Sequence, residues 1–263
     1  MAERASIRRH RWLLYELTRR ELASRYSGSV SSLAWTLLQP LAQLAVFAIV
    51  FTQIFRATVP AEFQGASYTA FVAVALWPWI MFSEALQRGM VAISGNGGLI
   101  RKVALPNQVF VYAAVLACYA LHLLGFAGVV AVLSASGEPV RAAGVPAALV
   151  LLFPYLLFTM GLALFLAALQ TLLKDVEHGV GVVLMLVFYA TPILYPLSFV
   201  PESWRAAMRS NPLAHFSERL REVLLADPRL LPSDLWLLAI GVAAFLVGRW
   251  VFGRVSPYFE DFL

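Results

Sequence analysis

The sequence predicts an all-α integral membrane protein with six transmembrane helices, and three observations carry that reading. Apolar residues make up 60% of the chain and charged ones only 13%, about half the share of roughly 25% found in soluble domains. The mean hydropathy is +0.75, more apolar surface than a soluble fold can hide but no burden where lipid is the solvent. The apolar residues also fall into runs near the length of about 20 that a helix needs to cross a bilayer. Six stretches qualify: 31–55, 68–92, 107–134, 146–172, 179–195 and 234–254. They form a single transmembrane domain over 1–263, with no internal repeat and no low-complexity tract.

The segment 1–29 precedes the first apolar run and is basic throughout. It lacks the apolar core and cleavage site of a secretory signal. It reads as a cytoplasmic interface helix: Glu16/Arg20 and Glu21/Arg25 have the favoured i,i+4 order, and Tyr26 closes the stretch. A basic topogenic tail is the alternative. Span one carries Gln39, Gln43, Phe47, Phe51 and Phe55 at four-residue spacing, so they share a helical face. Buried amides in lipid need partners or water. A polar-then-aromatic row suits the wall of a passage for a hydroxyl-rich cargo; equally, the amides can bond between helices while the rings face lipid.

Span two contains Leu76-Trp77-Pro78-Trp79, then Phe82, Glu84 and Arg88. Pro78 is expected to kink it, Trp77, Trp79 and Phe82 are candidate passage residues, and Glu84 and Arg88 have the spacing of an ion pair. In span three, His122 stands alone and reads as a packing residue. Cys118 lies in the same run; one cysteine excludes a disulfide framework and a cysteine-based metal cluster. Span five ends in Thr191-Pro192-Ile193-Leu194-Tyr195-Pro196, where two prolines stop the helix. Tyr189 and Tyr195 are the last candidate passage residues. The segment 197–231 is too polar to span, and reads as short external or re-entrant helices, with Asn211-Pro212 as a helix start.

Lys and Arg beside the spans set orientation. The tail holds seven arginines, and Arg101, Lys102, Lys174, Arg249 and Arg254 fall on its side if there are six spans. Loops 56–67 and 135–145 hold only Arg56 and Arg141. Both termini are therefore expected in the cytoplasm, despite the five arginines between spans five and six. The net charge of +5 follows from this distribution, and no nucleic-acid-binding motif accompanies it. The chain also lacks GxxxxGK[ST], HExxH and GxSxG patterns, so no ATP site, metal or other cofactor is expected on it, and no catalytic residues.

Several stretches align in order with one family. Arg20-Glu21-Leu22 with Arg25-Tyr26, Trp35 and Pro40 open the pattern. Trp77-Pro78-Trp79 with Phe82-Ser83-Glu84, Leu99-Ile100-Arg101-Lys102-Val103 with Pro106, and Lys174-Asp175-Val176-Glu177-His178 continue it. Thr191 to Pro196, Asn211-Pro212-Leu213 and the closing Tyr258-Phe259-Glu260-Asp261-Phe262-Leu263 complete it. The chain resembles the membrane permease of ABC-type polysaccharide exporters, the type 2 exporters of O-antigen, capsule or teichoic acid. Two departures stand out: Lys174 where arginine is usual, and Ser32-Leu33 where Leu-Gly is commoner.

The resemblance implies a bacterial inner-membrane homodimer joined to two ATPase subunits that bind ATP and Mg. It further implies that Asn96, Gly97, Leu99, Ile100, Arg101, Lys102 and Asp175 couple to the ATPase, and that a lipid-linked glycan passes between the permeases. Rival readings are a type 2 exporter of lipids or drugs and a membrane-embedded glycan-modifying enzyme. The enzyme would need acids or histidines clustered at one membrane face, and Glu84, Asp175 and His178 are scattered in sequence.

Overall fold

The computed structural model describes residues 2–26, 30–102 and 105–262; of these, side chains are described except at 2–11, 25, 26, 30–34, 36, 37, 260 and 261. Arg25, Tyr26 and Val103 thus lie outside the described side chains. Among the described residues the secondary structure is entirely helical. Four helices are long and apolar enough to cross a membrane: α3 (Tyr68–Met90), α6 (Gln108–Ala135), α7 (Gly144–Leu172) and α11 (Asp234–Val255). Two shorter apolar helices fall on the first and fifth expected spans. One is the end of α2 (Val30–Ile49) with its π-type turn Val50–Ile54, and the other is α8 (Val176–Tyr189). The tail is α1 (Ala2–Tyr26), and the connection after α3 folds into two single turns, α4 (Ala92–Gly95) and α5 (Gly97–Ile100). Beyond α8 come α9 (Glu202–Arg209) and α10 (Pro212–Arg221), and α12 (Phe259–Phe262) closes the chain.

Local chemistry explains the boundaries. Ser67 caps α3 by accepting from the Ala70 N–H at 3.1 Å. Asn211 caps α10, accepting from Leu213 N–H at 3.0 Å, with Pro212 in the first turn. The expected stop at Thr191 to Pro196 is where α8 ends. α3, by contrast, runs as one helix through Pro78.

α3 is the central element. Its apolar window is 78% buried, against 22% for that of α11, so α3 is surrounded by protein while α11 is peripheral. α11 lies along α7 so closely that a Cβ added at Gly161 would strike the backbone of Ala244, and one at Gly248 the carbonyl of Gly161. A Cβ at Gly241 would likewise meet the Pro154 carbonyl. Small residues that let backbones touch are the usual means of packing helices where lipid gives no hydrophobic drive.

The re-entrant segment divides in two. Helix α9 is exposed, with Trp204 66% accessible. Helix α10 is not a surface element: Leu213, Phe216, Leu220 and Arg221 are buried, and it packs on α3 and α7. Two of the five arginines that opposed the expected orientation are accounted for inside the protein. Arg219 bonds Asp234 at 2.6 Å and the Arg229 carbonyl at 3.0 Å, and also pairs with Glu222. Burial works against its charge, but the Asp234 and Glu222 carboxylates more than offset that and hold its pKa above the ordinary value.

Arg221 is 1% accessible. It donates from Nε to the Phe71 carbonyl at 2.9 Å, from Nη1 to Pro192 at 2.7 Å and from Nη2 to Ile193. Its guanidinium also sits 3.7 Å from the Phe71 ring centroid. Tyr68 donates to the next carbonyl, Leu194, and Asn211 donates to Thr191 Oγ1 at 2.9 Å. Irregular backbone at membrane depth is tolerated when protein satisfies it; here side chains of α3 and α10 supply the donors.

The connections sort to two ends. Ser67 N–H donates to Glu138 at 2.9 Å and Arg141 N–H to the Leu224 carbonyl at 2.7 Å, joining three connections at one end. At the other, Arg20 reaches Asn96 at 3.5 Å, Ser94 bonds Gln170 at 3.0 Å and Asn107 bonds Ser256 at 3.1 Å.

Candidate functional site

A cleft of about 740 Å³ opens between α2, α3 and α8, within the range of small-molecule sites. Its walls change character along their length. One end carries Trp35, Gln39, Gln43, Ser83, Glu84, Gln87 and Arg88; the other carries Phe47, Trp79, Phe188 and Tyr189. The four-residue row of span one supplies Gln39, Gln43 and Phe47. Phe188 bridges the two sides of the aromatic end, with its ring 6.1 Å from Phe47 and 5.5 Å from Trp79, and Tyr189 meets it edge-on at 5.2 Å.

The other candidate passage residues lie elsewhere. Phe51 stacks on Tyr68 at 5.5 Å, and Phe55, beyond the end of α2, is 66% exposed. Trp77 and Phe82 correct the sequence reading. Both are buried inside this chain, at 3% and 2% exposure. Trp77 Nε1–H donates to the His122 carbonyl at 2.9 Å, and Phe82 stacks on Tyr155 at 5.7 Å. Tyr195 folds back and donates to the Tyr189 carbonyl at 2.6 Å. A four-residue row states which residues share a face but not what covers it, and that is why the row splits after Phe47. Phe188 lies within an apolar run, where the buried Val180, Leu184 and Phe188 share the same four-residue spacing on α8.

Glu84 and Arg88 form the expected pair, Nε to Oε1 at 2.8 Å. His122 is not a lone packing residue: its Nε2 lies 2.7 Å from the second oxygen of Glu84. An ionised carboxylate only accepts, so Nε2 carries the proton. Nδ1 is buried without a partner among the described residues. The pair joins α3 to α6 across 38 residues of sequence, which no local pattern reports.

The Asn96 to Lys102 segment lies where Arg20 of α1 reaches the junction of α4 and α5, and α1 itself packs on α6. Asn96 is held by Arg20 and by its own bond to the Ala92 carbonyl at 2.9 Å. Gly97 and Ile100 are buried and Leu99 is half-buried, while Arg101 and Lys102 are exposed. Asp175 is exposed at the start of α8. Glu16 does not pair with Arg20 among the described contacts; Arg20 turns to Asn96 instead. Glu21 is half-buried, and its expected partner Arg25 has no described side chain. No cluster of His, Cys, Asp and Glu that could hold a metal occurs among the described residues.

Four helices long and apolar enough to cross a bilayer define an integral membrane protein. The chain belongs to the ABC-2 type transporter family, whose model matches residues 13–225. The O-antigen export system permease protein RfbA of Myxococcus xanthus is 35% identical over 211 residues, covering 78% of this chain and 76% of the relative. A protein of the same name from Klebsiella pneumoniae is 26% identical over 255 residues, 95% of each chain. The polysialic acid transport protein KpsM of Escherichia coli is 21% identical over 207 residues, 78% of each.

Proposed function

We propose that this chain is the channel-forming permease of an ATP-driven exporter that moves lipid-linked polysaccharide from the cytoplasm across the bacterial inner membrane. Similarity to an O-antigen permease along 95% of the chain supports the cargo class. The observation in the molecule that carries the reading is the cleft, whose wall sets amides and charges beside five aromatic side chains, four of them together at one end. Sugar faces stack on aromatic rings while hydroxyls bond to amides, so one wall offers both contacts a glycan needs.

In this reading α2, α3, α6, α7, α8 and α11 make six crossings, with both termini in the cytoplasm. Two copies enclose the passage. Two ATPase subunits, which hold the ATP and Mg, grip the Asn96 to Lys102 segment, Asp175 and α1 from inside. The ordering of connections at two ends supports this topology. Helix α9 and the Thr191 to Pro196 segment form the outer mouth.

Paired substitution of Phe47→Ala and Tyr189→Ala is expected to lower glycan export about 10-fold, from two lost ring contacts of about 0.5–1.5 kcal/mol each. Export is read as surface glycan at matched permease level. Phe51→Ala, outside the cleft, is the comparison; equal losses from both would return the whole row to helix packing. Orientation is tested with Glu62→Cys, since Glu62 is exposed and the native Cys118 is buried. An impermeant thiol reagent should label it from the periplasmic side, and labelling only from the cytoplasm overturns the topology.

A further inference from the structure

The ion pair on the cleft wall has a third member behind it. Arg88 contacts Glu84 at 2.8 Å, Glu84 contacts His122 at 2.7 Å, and the backbone of His122 is held by Trp77 at 2.9 Å. Arg88 and Glu84 face the cleft, with 44% and 25% of their side chains accessible, while His122 is wholly buried. Ionisable groups inside a helix bundle are costly and mark function. A structural pair would need no buried imidazole to orient its carboxylate from the far side.

We propose that Arg88 is the receptor for the phosphate of a lipid-linked saccharide entering the cleft, with Glu84 and His122 as positioning residues; this rests on the permease reading above. The Glu84 contact engages Nε, one of five guanidinium donors. It does not engage the two Nη groups, whose fork matches phosphate oxygens. His122 takes the other carboxylate oxygen, so Glu84 is pinned from both sides and fixes the guanidinium plane. Glu84 is the only acid on the cleft wall among the described residues, the Glu21 carboxylate of α1 acts on the Arg88 guanidinium from outside that wall, and Gln39, Gln43 and Gln87 add amide donors around it.

The ligand's three parts have three places. In a saccharide joined to its lipid through phosphate, the anion lies between sugar and hydrocarbon. Arg88 stands at the polar end, the ring-lined end receives sugar, and the exposed apolar side chain of Met185 on the α8 wall adjoins the hydrocarbon.

The test uses the full chain in lipid nanodiscs with three probes: a polyprenyl diphosphate, the corresponding polyprenol, and inorganic diphosphate. Wild type should prefer the polyprenyl diphosphate to both others. Arg88→Gln should weaken that binding about 10- to 100-fold, the worth of a charge-assisted contact. Arg88→Lys should fall between them, and polyprenol binding should not change, which also reports that the variants are folded. His122→Phe should weaken diphosphate binding several-fold with Arg88 intact and polyprenol binding unchanged. Diphosphate binding unaltered in Arg88→Gln overturns the proposal. Inorganic diphosphate binding as tightly as the lipid form overturns its lipid-linked part. Normal binding in Arg88→Gln beside lost export would defeat this assignment and leave the permease reading standing. Arg88-dependent binding in a chain that supports no glycan export would do the reverse.

Discussion

Arg221→Met is expected to prevent accumulation of monodisperse protein after extraction from the membrane. The guanidinium satisfies three buried carbonyls, those of Phe71, Pro192 and Ile193, and lies against the Phe71 ring. Methionine fills much of the volume but donates nothing, and orphaned buried carbonyls cost about 1–3 kcal/mol each. The total is most of the stability of an ordinary domain. Burial pushes the Arg221 pKa down, against the favourable field of the Glu218 carboxylate, so the group already bears a desolvation cost that its hydrogen bonds offset. Arg221→Lys should rescue only in part, because a single ammonium cannot span three acceptors. Size-exclusion chromatography and thermal unfolding are the readouts, and wild-type behaviour of Arg221→Met would remove the arginine from the account of the fold.

Reversing charge with Arg101→Glu and Lys102→Glu together is expected to cut export at least about 30-fold while the isolated permease keeps its thermal stability. Both side chains are exposed at the end of the molecule that holds the α1 to Asn96 contact. Like charges introduced at a docking surface cost several kcal/mol. ATP hydrolysis by the assembled complex should become independent of cargo or fall with lost assembly. Leu99→Asp should also uncouple, but Leu99 is half-buried against the protein's own core, so that variant reads folding and docking together. Normal coupling in the double reversal removes the segment from the interface with the ATPase.

Much of the helical plan is legible in the sequence because it is written in local terms. The apolar runs mark the helices, Asn211-Pro212 marks the start of α10, and the prolines at 192 and 196 mark the break after α8. The Glu84 and Arg88 pair follows from spacing alone. What escapes is what depends on a distant neighbour. Arg221 looks like a charge on a polar connection, and only the fold shows the carbonyls around it, from residues 150 and 29 positions away. His122 looks solitary until α6 is laid on α3. Trp77 and Phe82 look like passage residues because aromatic content gives no sense of direction. Phe188 is the reverse case, a wall residue hidden in an apolar run.

The glycines between α7 and α11 allocate freedom as well as space. With Gly161, Gly241 and Gly248 bringing the two main chains into touch, sliding or rolling one helix over the other would drive side chains into peptide planes. The two therefore travel as a single strut, while α2 and α8, short and with exposed flanks, carry no such interlock.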